Sequence, residues 1–461
     1  MRGNREITCF EPALDSGKCK FHDEFYLNEH TQSEIHDELC KKIDDACKNE
    51  TILECVGYNI PEINLESKKF VKSVFFSHSN FVGDVIFDHS EFYSFANFFN
   101  CTFNKEINCN NVLFKEKVDF SSNRFNDNVY FESSICDDNA DFSSSEFKEK
   151  VSFLTTEFTN VDFSNVVFSE SVSFVRTEFK NKTWFTNTIF NNEVKFNRMR
   201  FLDEVSFSYA LFKKFAHFRN SIFFKPNLVT FDTDLSHVSF LGTDISRIRF
   251  DNQVKWNIES EPTNKFHKFI YRIKNRNNKF VIYDEWLLEN NQEPSLQLED
   301  VMDVYRNLRE NHDYYLKYET AGEFFVREME LKRKYKKNKN SSRKTISREC
   351  HEKLFSLYQY YHIISQYGHS ICRPMFVSIP ILSIFIALFC IENLTDPDFA
   401  NLPSQKIFYD ALFRSITSFF PFYSLDKDTN YLDILLRIIL LPISGAFFIS
   451  LKRKLERKFR H

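Results

Sequence analysis

Three residues near the N-terminus, Cys9, Cys19 and His22, have the types and spacing of metal ligands. Thiolates and imidazoles are the ligands that Zn²⁺ prefers, and Cys19 and His22 form a Cys-x-x-His step. A fourth ligand would come from one of three residues further along, His30, Cys40 or Cys47. Because the spacing is looser than in zinc fingers, buried or free thiols are the preferred interpretation, and no metal is predicted.

The cysteines as a group favour a reducing compartment. The chain has 11 of them, an odd number without a repeating framework, which indicates reduced thiols and not a disulfide scaffold. The opening segment MRGNREITCFEP contains no apolar core of signal-peptide length. We therefore expect most of the chain to face the cytosol.

Composition narrows the class further. Phe occurs 56 times and Gly 8 times among 461 residues, and the formal net charge is -4. A disordered chain lacks such an aromatic load, and a nucleic-acid-binding protein is usually more basic. The sequence has no glycine-rich phosphate loop, nucleophile elbow or paired-carboxylate motif. We therefore predict neither enzymatic activity nor a cofactor.

Phenylalanines, replaced by Cys109 and Cys136 at two positions, recur at alternating intervals of five and six residues from Phe76 to Phe223, with one double five at Phe158, Phe163 and Phe168. An α-helix would place residues five apart about 140° around its axis, so no helical stripe explains the pattern. Short strands joined at regular corners explain it, and they predict a four-sided solenoid of roughly seven turns and roughly 30 Å. The predicted core includes Phe81, Phe87, Phe92, Phe98, Phe120, Phe131, Phe142, Phe153, Phe174, Phe185, Phe196 and Phe207.

This pattern resembles the pentapeptide-repeat family, and the segments NADFSSSEF, NVDFSNVVF and EVSFSYALF carry its small-polar-apolar triplet. The resemblance implies a right-handed quadrilateral parallel β-helix, here over residues 71–252. The extra residue in alternate repeats departs from the family pattern, and we expect it to push out a corner twice per turn. A helical cap is expected over residues 1–70, where Ser33 would cap a helix in SEIHDELCKKID.

From about residue 254 the apolar spacing becomes helical, which predicts a neck of paired amphipathic helices over residues 253–345. The motifs YRNLREN and AGEFFVREMELKR resemble the helical linker of multi-part pentapeptide-repeat membrane proteins. A rigid spacer is preferred here over a tetratricopeptide-like interaction hairpin.

Residues 346–461 are predicted to form a membrane domain. The apolar runs 374–391 and 432–451 are long enough to cross a bilayer. Basic clusters precede the first run and follow the second, so the positive-inside rule places both termini in the cytoplasm. The sequence thus predicts a multi-pass protein of the plasma membrane whose partners include the lipid bilayer.

Residues 408–422, between the two runs, are too few to span a bilayer and predict a re-entrant helix. The segment YDALFRSITSFF resembles the pore helix and first filter residues of two-helix cation channels. Arg437 in the second run is costly in lipid unless it faces protein or water, and Gly445 would serve as a hinge. The filter glycine is missing, so potassium selectivity is not expected. The resemblance implies pore candidates at Ser415, Thr417, Ser418, Phe419, Phe420, Pro421, Phe422, Arg437 and Gly445.

Three functional hypotheses follow. The leading one is a homo-oligomeric, ion-channel-like membrane protein whose cytoplasmic solenoid senses or binds a protein partner. The alternative is a membrane-tethered protein-protein interaction scaffold without conductance. A third comes from soluble members of the resembled family, which imitate DNA and bind type II topoisomerases. That role needs a strongly negative rod, whereas residues 76–225 hold 20 acidic and 16 basic side chains, and no nucleic-acid partner is predicted.

Overall fold

The computed structural model describes residues 18–23, 32–251, 253–256, 281–341, 357–368, 370–395, 404–420 and 431–459. The chain forms two compact units, Met1–Asn311 and His312–His461. The first unit contains a parallel β-solenoid of about 9 turns, which confirms the predicted solenoid. The right-handed winding and the quadrilateral outline stay predictions.

Each full turn contributes four short strands, which pair with the equivalent strands of neighbouring turns to form four parallel ladders. Ladder 1 contains Leu53–Glu54, Val74–Phe75, Ala96–Asn97, Val118–Asp119, Ile135–Asp141, Glu157–Asp162, Thr183–Trp184, Val205–Ser208, Val229–Asp232 and Arg249–Phe250. Ladder 2 contains Asn59–Ile60, Asn80–Phe81, Thr102–Phe103, Arg124–Phe125, Glu146–Phe147, Val167–Phe168, Ile189–Phe190 and Leu211–Phe212. Ladder 3 contains Ile63–Asn64, Val85–Ile86, Ile107–Asn108, Val129–Tyr130, Val151–Ser152, Val172–Ser173, Val194–Lys195, Ala216–His217 and Val238–Ser239. Ladder 4 contains Lys69–Phe70, Glu91–Phe92, Leu113–Phe114, Glu178–Phe179, Arg200–Phe201 and Ile222–Phe223, and it shares Ile135–Asp141 and Glu157–Asp162 with ladder 1.

Columns of stacked aromatic rings fill the interior of the solenoid. In the column beside ladder 1, the ring centroids of Phe142 and Phe163 lie 5.1 Å apart, as do those of Phe163 and Phe185. All twelve phenylalanines of the predicted core are at most 1% exposed. Burying one such side chain contributes roughly 1.5–3 kcal/mol, so the aromatic columns are the main source of stability.

Tight corners recur every eleven residues along most of the solenoid. Each contains one residue with positive φ, and the residue that follows it is often a buried serine or threonine. The Ser145 hydroxyl donates to the Phe120 carbonyl of the preceding turn at 2.9 Å and accepts the Asn123 N–H, also at 2.9 Å. Thr177 and Thr188 make the equivalent donation at 2.7 and 2.8 Å. These hydroxyl clamps satisfy buried backbone groups and tie each turn to the one before it.

The double five shortens one corner of the solenoid. Glu157–Asp162 is one strand that pairs in both ladder 4 and ladder 1. Its pairing with Ile135–Asp141 runs Cys136 to Phe158 and then Asn139 to Asn160, so the register shifts by one residue. The structure absorbs the missing residue as a β-bulge.

The solenoid begins earlier than the predicted boundary at residue 71. Strand Leu53–Glu54 already pairs with Val74–Phe75. The first turn fills its interior with four buried residues at five-residue spacing, which are Cys55, Ile60, Leu65 and Phe70. The predicted cap therefore covers fewer residues than expected.

Helix α1, Gln32–Asn49, precedes this first turn. It buries Ile35, Leu39 and Ile43, and the Lys42 amine donates to the Tyr58 hydroxyl of the first turn at 2.8 Å. Ser33 lies inside the helix, so the prediction that it is the N-cap was wrong. The described helix already starts one residue before Ser33.

Two helices of the predicted neck pack on the last turn of the solenoid. These are α2, Tyr283–Glu289, and α3, Leu298–Tyr314. The Asn311 amide of α3 donates to the carbonyls of Ile245 and Ile248 at 2.8 and 2.6 Å. This part of the predicted spacer therefore caps the solenoid, whose open end would otherwise expose backbone groups.

The second unit is helical over its described residues. Its helices are α4 Tyr318–Ser341, α5 Leu357–Ser365, α6 Cys372–Thr395, α7 Ser404–Phe419 and α8 Tyr431–Phe459. The two predicted apolar runs lie within α6 and α8, and the predicted re-entrant segment overlaps α7. A core that includes Phe389, Ala411, Leu436 and Leu440 holds α6, α7 and α8 together.

Candidate functional site

The outward faces of α6 and α8 carry exposed apolar side chains. Both helices are long and apolar enough to cross a membrane, over Cys372–Glu392 and Tyr431–Leu455. Only 22% of the first stretch and 33% of the second is buried within the structure. Ile384 and Ile438 are 61% and 64% exposed, so both helices present aliphatic side chains outward.

Hydroxyl groups on these helices are bonded within their own helix. The Ser383 hydroxyl donates to the Ile379 carbonyl at 2.9 Å, and the Ser450 hydroxyl donates to the Ala446 carbonyl at 2.8 Å. A hydroxyl that bonds its own helix in this way needs no water. Of these two hydroxyls, the exposed one, that of Ser383, is therefore compatible with hydrocarbon.

Helix α7 packs against both α6 and α8 and carries four of the nine predicted pore candidates. Ser415, Ser418 and Phe419 are buried against the other helices, whereas Phe420 is 42% exposed. The hydroxyls of Thr417 and Ser418 donate to backbone carbonyls one turn earlier. Among the described residues of α7 the candidates therefore face protein or their own backbone. Pro421 and Phe422 lie outside the described residues.

The two remaining pore candidates lie on α8. Arg437 is partly buried among the helices. A β-carbon added at Gly445 would meet no atom within 4 Å, so open space adjoins this glycine. The hinge at Gly445 stays a prediction.

An ion cluster directly beside the pore candidates of α7 was not expected from the sequence. The Arg414 guanidinium lies 2.5 Å from the Asp433 carboxylate of α8 and 3.7 Å from the Glu392 carboxylate of α6. It also covers the Phe389 ring, 4.4 Å from the centroid. We call Arg414, Asp433 and Glu392 the arginine node, because one side chain of α7 joins both apolar helices.

The signal for this node was visible but not decisive. Arg414 is a charged residue within the short apolar segment FYDALFRSITSFF. A charge in such a segment needs a partner, yet the sequence does not show which carboxylate lies near it. The sequence analysis predicted a role for Arg437 instead, because that residue interrupts a longer apolar run.

The candidate zinc residues make other contacts. Cys19 Sγ lies 2.9 Å from His22 Nδ1, and His22 Nε2 lies 2.9 Å from the Val56 carbonyl. Across the described ranges, no group of three or more His, Cys, Asp or Glu side chains is arranged to hold a metal ion. Cys9 and His30 lie outside those ranges.

Two cysteines replace phenylalanine in the solenoid core between Phe76 and Phe223. Cys109 and Cys136 occupy the aromatic columns beside ladders 3 and 4 and are fully buried. Burial raises the pKa of both thiols well above the ordinary value. They therefore stay protonated and act as small apolar core residues.

The outward side chains of ladder 4 form ion pairs between turns. Examples are Lys69 with Glu91 at 3.2 Å and Arg200 with Glu178 at 2.7 Å. Exposed pairs of this kind contribute little to stability, so these charges influence solubility and recognition more than stability. Repeating core residues inside and variable polar residues outside are what five-residue repeats produce.

Residues 153–200 match the family model of pentapeptide repeats. That model describes nine copies of the repeat. The matched residues lie in the middle of the solenoid, and the described turns before and after them have the same strand pattern. No curated protein and no solved structure matches the chain. A pentapeptide-repeat solenoid is a structural or interaction fold, and the prediction of a non-enzyme stays a prediction.

The C-terminal cap of the pentapeptide-repeat solenoid contains a buried carboxyl group. Asp284 of α2 is 1% exposed, and its Oδ2 accepts the Phe240 N–H at 3.2 Å. Its Oδ1 has no hydrogen-bond partner among the described residues. Burial raises the pKa of Asp284 to about 6, against opposing effects of the Ser239 hydroxyl, the Phe240 N–H and Arg219.

We expect Asp284→Asn to stabilise the cap at pH 7.5. A carboxyl whose pKa is raised on folding favours the folded state when protonated, so its stabilisation is lost as the pH rises from about 4 to about 6. The asparagine stays neutral and should raise the free energy of unfolding by about 2 kcal/mol at pH 7.5, and by little at pH 4. Denaturant unfolding followed by tryptophan fluorescence at the two pH values measures the difference.

The exposed Asp244 provides the matched control, since Asp244→Asn removes a charge near the cap without removing a buried one. A stabilisation by Asp284→Asn that is equal at both pH values would contradict the assigned cause.

Proposed function

We propose that this chain is a membrane-tethered interaction scaffold, in which the pentapeptide-repeat solenoid presents a binding surface and α6 and α8 anchor it in a bilayer. The observation that carries the proposal is the apolar, exposed outer surface of α6 and α8. A protein in water rarely exposes so large an aliphatic surface, whereas a bilayer covers it.

The solenoid supports the binding half of the proposal. Its inward residues repeat and are buried, so they fix the fold and leave the outward positions free to vary. A ladder of parallel strands presents these positions in straight rows about 4.8 Å apart. Such a rigid surface suits recognition of a protein partner, which we expect in the cytoplasm.

A channel is the second candidate, because α7 packs against both apolar helices. The scaffold is preferred for a specific reason. The buried serines of α7 face its own neighbouring helices, and the outward faces of α6 and α8 are aliphatic, so the described residues offer no polar row that a second subunit would complete as a pore.

Membrane extraction tests the anchor. We expect the full-length chain to stay in the membrane fraction after alkaline carbonate and to require detergent for release. The double variant Ile384→Arg/Ile438→Arg should lose this retention, because each arginine at a helix centre costs about 2.5–3.5 kcal/mol in a bilayer. In water the same changes, at positions 61% and 64% exposed, would be harmless.

The matched control is Tyr209→Arg, which changes a solenoid residue that is 56% exposed. A monodisperse wild-type protein without detergent would contradict the anchor. Ion flux in liposomes that contain the purified protein separates the two candidates: we expect none above that of empty liposomes, and a flux would favour the channel.

A further inference from the structure

The connection between α5 and α6 has an unusual backbone. Gln366, Tyr367 and Gly368 follow one another with φ values of 50°, 58° and 79°. Consecutive residues in the left-handed region are rare outside glycine and persist only where surrounding contacts hold them. We call these three residues the elbow.

Contacts within the connection hold one side of the elbow. The Gly368 N–H donates to the Ser365 hydroxyl at 2.9 Å, and the Ser370 N–H donates to the Ser365 carbonyl at 3.0 Å. The Tyr367 side chain is 0% exposed, and its ring lies 6.0 Å from that of Tyr361. The elbow is therefore an ordered, buried turn directly before α6.

Arg453 of α8 holds the other side. Its Nη1 donates to the Tyr367 carbonyl at 2.8 Å. A β-carbon at Gly368 would lie 2.9 Å from the same Nη1 and 2.8 Å from the Tyr361 hydroxyl, so only glycine leaves room for this approach. The end of α8 is thereby joined to the start of α6.

The same arginine also reaches α4. Its guanidinium lies over the Phe325 ring, 5.4 Å from the centroid, which is within the range of a cation-π contact. A second link runs from Glu330 of α4 to His362 of α5, at 3.4 Å. Two separate contacts thus hold α4 against the helices that lead into the apolar pair.

We propose that Arg453 is a positioning residue that holds α4 and the elbow against the end of α8, so that α4, α6 and α8 move as one body. A displacement of α4 would then be passed to both apolar helices. The assignment rests on the proposed function only in taking α6 and α8 as membrane spans.

Electron-spin distance measurement on the full-length protein in detergent tests whether Arg453 holds α4 against α8. Spin labels carried by unnatural amino acids replace the exposed Glu319 of α4 and the exposed Leu455 of α8. We expect the distribution of distances between the two labels to be narrow in the parent protein and broad in Arg453→Gln. Gly368→Ala should have the same effect, because its β-carbon displaces the guanidinium.

Two further variants distinguish the positioning role of Arg453 from a general effect of charge and from a failure to fold. Lys454→Gln removes a neighbouring exposed charge and should keep the narrow distance. If Arg453→Gln does not fold, Phe325→Leu, which removes only the aromatic face, should still broaden the distribution. A folded Arg453→Gln or Phe325→Leu protein with the parent distance would overturn the proposal. We expect the same variants to stay in the membrane fraction after carbonate treatment. This result distinguishes failure of the positioning role of Arg453 from failure of α6 and α8 to act as membrane anchors.

Discussion

Phe163→Ala is expected to lower the free energy of unfolding of the solenoid by about 3–5 kcal/mol. Phe163 is 0% exposed and stacks between Phe142 and Phe185, with 5.1 Å between centroids on each side. It also meets Phe153 and Phe174 edge to face. Truncation removes these contacts and leaves a cavity that the neighbouring turns cannot close, because the hydroxyl clamps fix their spacing. Chemical denaturation followed by circular dichroism measures the loss.

The control for this prediction is Phe224→Ala, which removes the same atoms from a ring that is 53% exposed. We expect a change below about 1 kcal/mol there, since surface substitutions are usually small. Equal losses for Phe163 and Phe224 would mean that the aromatic columns are not the source of stability.

The second large effect is expected in the arginine node. Arg414→Gln removes the guanidinium from Asp433 and Glu392, and breaking a buried ion pair at one partner costs about 3–5 kcal/mol. The side chains of Arg414 and Asp433 are 23% and 10% exposed, so water screens them little. We expect α7 to detach from α6 and α8, which limited proteolysis and the unfolding temperature in detergent would detect.

A double variant identifies the cause of the stability loss expected for Arg414→Gln. Arg414→Gln/Asp433→Asn removes both charges and should recover a large part of the stability, because the remaining groups are neutral. Lys406→Gln, at an exposed position of the same helix, should change little. No recovery in the double variant would show that the side-chain volume of Arg414, and not its charge, holds the helices.

The extent to which the sequence predicted the solenoid depends on how uniform each turn is. From Phe76 to Phe223 the core positions are almost all phenylalanine, so their spacing alone indicated the fold. The first turn uses Cys55, Ile60, Leu65 and Phe70 at the same spacing, and this mixture of side chains concealed it. The predicted start at residue 71 was late for this reason. At the other end, Phe240, Ile245, Phe250 and Trp256 continue the core with a similar mixture.

The helical parts were predicted less completely. Lengths and hydropathy located α6 and α8, because both are local properties of the sequence. The contacts of Asn311, Arg414 and Arg453 join segments that are distant in the chain, and no periodicity encodes them. The role of α3 as part of a cap was missed because its amphipathic pattern shows that it packs, but not on what.

The hydroxyl clamps and ladders have a consequence for how such a protein can change size. Each clamp joins one turn to the turn before it, as between Thr188 and Phe163 or Ser145 and Phe120, which are 25 residues apart in both cases. Removal of one complete turn would leave every surviving column aligned, whereas removal of half a turn would place ladder 1 over ladder 3. We therefore expect duplication or deletion of sequence to be tolerated in whole turns, so that the length of the solenoid changes in discrete steps while its two caps remain unchanged.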